Sequence, residues 1–177
     1  MYDFGFSENI ILTTEETRRI GGKQALQAVG IGLIVAQLIM TLLSSDNGFL
    51  KGLIWFTGVN FGLNLAIGIV VMLLCGYYFG QRAGVEILMK KRNYAWIGLK
   101  YGTLTLLTTA FLSSWTGFFQ DEFGKNNYPF NNSPFYDYII KPTLLIFEFG
   151  FFPALFVGFW FGRQIKKNGL KFIANGK

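Results

Sequence analysis

Long apolar stretches alternate with short polar ones along this chain. Four apolar blocks stand out, from about Ala25 to Ser45, Leu53 to Gly80, Tyr94 to Phe119 and Ile139 to Gly162. A helix needs about 20 apolar residues to cross the hydrocarbon core of a bilayer, and each block meets that length. Four in succession is not the pattern of a soluble domain, whose surface helices keep a polar face. The pattern therefore predicts an all-α integral membrane protein with four transmembrane helices. They would form one membrane domain over 1–177, flanked by a cytoplasmic N-terminal segment (1–24) and a basic tail (163–177).

Composition agrees. Charged residues make up 15% of the chain, well below the roughly 25% of an average soluble domain. The N-terminal MYDFGFSENIILTTEETRR is acidic and mixed, unlike the basic-then-apolar order of a cleavable signal peptide. The first span is then expected to serve as its own targeting signal. Thr13 stands three residues before Glu16, the spacing of a capping box. A helix should begin near Thr14 and run into the first span, with Gly21 and Gly22 as a bend. Its first part is expected on the cytoplasmic surface, where it could dock a partner.

Lys and Arg collect in cytoplasmic loops of membrane proteins. Here Arg18, Arg19 and Lys23 precede block one, Arg82, Lys90, Lys91 and Arg92 lie between blocks two and three, and Arg163, Lys166, Lys167, Lys171 and Lys177 follow block four. The two other loops hold only Lys51, Lys125 and Lys141, alongside Asp46, Asp121, Glu122 and Asp137. Both termini and the 81–93 loop are expected inside. The basic segments would meet anionic lipid head groups, at about 1 kcal/mol per residue; a basic flank alone does not indicate nucleic-acid binding. The Phe-, Asn- and Lys-rich style suits a bacterial cytoplasmic membrane.

The sequence also partly repeats. LAIGIVVMLLCGYYFGQR (65–82) aligns without gaps to FEFGFFPALFVGFWFGRQ (147–164), setting Gly68, Gly76 and Gly80 on Gly150, Gly158 and Gly162. LSSDNGF (43–49) likewise matches LSSWTGF (112–118). Two parallel-repeat helical hairpins, about 25–82 and 94–164, follow from this reading. Gly-xxx-Gly spacing places bare backbone on one helix face and lets another helix approach closely. Gly58 and Gly62 on the second helix, with Gly76 and Gly80, and Gly158 and Gly162 on the fourth, are the candidate packing positions. GLKYG (98–102) shares the spacing. The aromatics between the glycines suit an interfacial belt.

Ionisable groups inside a span cost a few kcal/mol on insertion scales and need a reason to be there. Glu148 falls in the fourth block, among aromatics (FEFGFFP), with Pro153 shortly after it to kink the helix. Asn60 and Asn64 are one turn apart on the second helix and could hydrogen-bond Glu148. Lys100 lies near the inner end of the third block, where its stem could snorkel to the interface or its ammonium could pair with Glu148.

No catalytic set emerges. His is absent and Cys75 is the sole cysteine, which excludes the usual zinc ligands and any intrachain disulfide. Ser113 and Ser114 are too far along the same helix from Lys100 for a catalytic dyad. No phosphate-binding glycine loop follows a strand. Asn131-Asn132-Ser133 fits a glycan acceptor, weakened by Pro134. No cofactor is expected. The reading is a non-enzymatic accessory or assembly subunit that packs against itself, as a homo-oligomer, or against a larger membrane partner through Gly-xxx-Gly faces. The alternative is a small oligomeric transporter or pore with Glu148, Asn60 and Asn64 in a polar path.

Overall fold

The computed structural model describes residues 12–43, 54, 62–124 and 135–174. Four long helices account for nearly all of them: α1 (Thr14–Leu43), α2 (Gly62–Leu88), α3 (Tyr94–Gly124) and α4 (Lys141–Ala174). A π-helical turn, Tyr136–Ile140, leads into α4. The helices run up and down in sequence order. Each packs on the next, and α4 returns to α1 along the loosest of the four seams.

Helices α1, α2 and α4 are long and apolar enough to cross a membrane. Helix α3 matches them in length, with 31 residues, or about 46 Å at 1.5 Å per residue. It is less apolar because it carries Lys100 and a series of hydroxyls, among them Thr103, Thr105, Thr108, Thr109, Ser113 and Ser114.

Local signals set the helix starts. The Thr13 hydroxyl accepts from the Glu16 N–H at 3.2 Å, and the Glu16 carboxylate accepts from the Thr13 N–H at 2.8 Å. This reciprocal box satisfies donors that a helix start leaves orphaned. Between α2 and α3 the chain turns through Lys91 at φ 49°. The Asn93 side chain then caps α3 by accepting from the Ala95 N–H at 2.9 Å.

The core lies toward the end of the bundle that holds the α2–α3 turn. Ala25, Ala28, Ala83, Ile87, Ile97, Tyr101, Phe161 and Ile165 form it. Arg82, Lys90, Arg92 and Lys166 gather around the same end, referred to below as the basic end.

As expected, α1 begins at Thr14 and runs into the first span, unbroken through Gly21 and Gly22, but its first part packs within the bundle, with Thr17 fully buried. Two further expectations change. Helix α2 does not stop at Gly80 but continues to Leu88, burying Ala83, Gly84 and Ile87. The tail is helical to Ala174, with Ile165 fully buried and Gly169 against Leu88. In each case small or apolar residues at helical spacing carry the packing past the charges that mark the loop.

Candidate functional site

Two glycine seams hold the basic half together. On the first, Gly21 of α1 meets the Gly80 carbonyl and the Gly84 backbone of α2, and a Cβ on Gly84 would collide with the Thr17 carbonyl. Gly80 faces Ala25, and Gly76 faces Val29. On the second seam, Gly98 of α3 meets the Gly158 carbonyl and the Gly162 backbone of α4, and a Cβ on Gly162 would collide with the Tyr94 carbonyl. Gly102 packs on Gly158 and Ala154. Bare backbone on both partners permits such approach.

The candidate packing glycines Gly76, Gly80, Gly158 and Gly162 are thus consumed inside one chain. Sequence reasoning missed Gly21 and Gly84. The four-residue spacing of Gly76, Gly80 and Gly84 was a readable signal, hidden because Gly84 follows Arg82. Gly62 does not pack: it is exposed, with nothing within 4 Å of where its Cβ would stand. Gly58 and Asn60 lie outside the described residues. By contact, Gly80 corresponds to Gly158 and Gly84 to Gly162. That is one helical turn away from the sequence alignment, which set Gly76 on Gly158.

Glu148 and Asn64 do not come together. Glu148 is exposed on the outside of α4, and so are Leu144, Phe152 and Phe156 at four-residue spacing. Phe152 and Phe156 keep 68% and 77% of their surface uncovered. Nor does Glu148 meet Lys100. Gly98 and Gly102 pack level with Gly158 and Ala154, whereas Gly150 packs level with Leu106. This register leaves Lys100 about two turns from the level of Glu148, or roughly 12 Å. Lys100 is exposed, with its ammonium 5.1 Å from the centre of the Tyr101 ring.

Other charges settle near the basic end. Glu86 accepts from the Tyr101 hydroxyl at 2.8 Å and pairs with Arg92 at 3.0 Å, tying the α2–α3 turn to α3. Arg82 lies over the Tyr78 ring and Lys166 over Tyr94, at 4.6 and 5.2 Å from the centroids. A pocket of about 610 Å³ there is lined by Leu12, Leu88, Lys91, Arg92 and Lys166, among others.

Between the helices, from the glycine seams toward the other end of the bundle, runs a partly open cavity of about 1070 Å³. All four contribute, including Val29, Leu33 and Met40 from α1, Asn64, Ile69 and Met72 from α2, Leu106 and Thr109 from α3, and Pro153 and Val157 from α4. Helix α4 stays helical through Pro153. Glu148 is not on this wall. Most hydroxyls near the cavity are satisfied locally. Thr41 donates to the Gln37 carbonyl at 2.8 Å, Thr105 to that of Tyr101 at 2.7 Å, and Ser114 to that of Ala110 at 2.8 Å, with Thr143 a further partner of Ser114 at 3.1 Å. The Asn64 Oδ1 and Thr109 Oγ1 atoms are buried without a hydrogen-bond partner among the described residues.

Among the described residues no group of His, Cys, Asp and Glu could hold a metal ion. No family model, curated protein or solved structure matches this chain.

Proposed function

We propose that this protein is a non-enzymatic accessory or assembly subunit that packs against a larger membrane partner, or a second copy, through the outer face of α4. The observation that carries this is the exposure of Glu148 in an otherwise apolar stripe with Leu144, Phe152 and Phe156. A carboxyl facing lipid is unfavourable by a few kcal/mol. A neighbouring helix that offers a hydroxyl, amide or cation relieves that cost. The glycine seams support the same choice of face, since they are used within the chain and leave little bare backbone for an outside helix.

In this reading α3 is the fourth span, kept in the membrane by its seam with α4 despite its hydroxyls. The matching glycine contacts of α1–α2 and α3–α4 support a duplicated hairpin, in the register that sets Gly80 on Gly158. Both ends of the chain face the cytoplasm of a bacterial cell, following the excess of Lys and Arg at the basic end, where Lys91, Arg92 and Lys166 meet anionic head groups.

The test is a photoreactive amino acid placed at Phe152 or Phe156, irradiated in native membranes. A discrete protein adduct that weakens in the Glu148→Leu background supports the reading. Adducts to lipid alone at both positions, with a monomeric mass in nanodiscs, would sink it.

A further inference from the structure

We infer that the cavity between the four helices holds the tail of a single-chain membrane amphiphile whose neutral, hydrogen-bonding head lies at the end beside Asn64. This goes beyond the docking role of α4, since Glu148 is absent from the cavity wall.

The shape fits a tail. Along α3 the wall runs from Tyr101 to Ser114, about 20 Å by the helical rise. A single leaflet's share of a hydrocarbon core about 30 Å thick is about 15 Å. At the basic end the space closes on Gly80, Tyr101 and Phe161. Val29, Met72, Leu106 and Val157 give the deep wall a hydrocarbon and thioether surface, and thioether side chains adapt well to irregular apolar ligands.

Polarity sets the direction. Asn64, Gln37, Ser114 and Asp137 line the opposite end. Asn64 presents a buried carbonyl oxygen without a partner among the described residues, which calls for a donor such as a lipid hydroxyl. Thr109, about two turns deeper and beyond the reach of the same head, also has an unpartnered hydroxyl among the described residues. A buried polar group left unsatisfied is costly, so Asn64 favours a ligand whose head donates. Among the described residues the wall carries no Lys or Arg, and its carboxylate, Asp137, is already paired with Lys141 at 2.7 Å, so no free cation on it would hold an anionic head. A hydroxyl-bearing neutral lipid of the monoacylglycerol type meets these conditions.

The test uses the full chain in phosphatidylcholine nanodiscs with a diazirine-tagged monooleoylglycerol. Irradiation should label peptides of the cavity wall, and unlabelled monooleoylglycerol should compete where oleate and phosphatidylglycerol do not. Gly32→Phe and Gly68→Leu project into the space, since a Cβ at either meets its nearest neighbour at an ordinary 3.6 Å. Each should lower wall labelling at least tenfold. Gly30→Leu is the size-matched control, because nothing stands within 4 Å of its Cβ position, and it should label like the parent. Asn64→Leu keeps the wall but should erase the preference for monooleoylglycerol over methyl oleate. Labelling that survives both filling substitutions, or that oleate competes equally well, would mean general bilayer lipid and overturn the inference. So would an Asn64→Leu protein with its preference intact.

Discussion

The carbonyl oxygen of Thr17 occupies the place where a side chain on Gly84 would begin. Helices α1 and α2 therefore meet backbone to backbone, and no rotamer change can make room at that point. Gly84→Val should force the helices apart and destabilise the protein by about 1–3 kcal/mol or more. Gly30→Ala, in open space, should be neutral or up to about 1 kcal/mol stabilising through helix propensity. Reversible unfolding of both variants in mixed micelles checks the contrast.

Gly158 tests where the glycine motif acts. Its Cβ would press on the Gly98 carbonyl of the same chain. Gly158→Leu should therefore lower stability equally at every protein-to-lipid ratio. A loss that depends on this ratio would instead place the glycine between molecules. Gly62→Leu should have no effect in the same assay, since the site around it is open.

Tyr101 gives the α2–α3 turn its strongest polar tie, the 2.8 Å hydrogen bond to Glu86. Tyr101→Phe removes the donor and keeps the ring, so it should cost about 1.5–3 kcal/mol, the range for a charged acceptor. Arg92→Ala breaks the other bond to Glu86, but the Arg92 side chain is 56% exposed, and an exposed ion pair is worth about 0–1 kcal/mol. Equilibrium unfolding at low and high salt should separate the two, with only the Arg92 effect shrinking as salt rises.

Thr13→Ala should remove the cap of α1 and cost about 1 kcal/mol. Amide exchange should quicken over the first turn, Thr14 to Thr17, and remain slow from Ala25 onward, where the helix is buried in the seam.

Much of this architecture was legible in the sequence. Apolar block length marked the helices, and the Thr13–Glu16 spacing marked where α1 starts. Helix ends were less readable. Charges such as Arg82 and Arg163 suggested a loop and a tail, yet Gly84, Ile87 and Ile165 continue the packed face past them. Residue spacing could also place Gly80 on a bare face without naming its partner, because a partner is a property of two helices. Glu148 was recognisable as an anomaly, but which way it faces depends on the rotation of α4, which the packing of Gly150 on Leu106 and of Gly158 on Gly98 sets.

The crowding of both glycine seams into the basic half has a mechanical consequence. At one end the helices meet backbone to backbone, while at the end lined by Met40, Asn64 and Leu145 they stand apart around open volume. A force that displaces the helices would therefore be taken up at the spread end, where fewer packed atoms resist it, rather than at the seams.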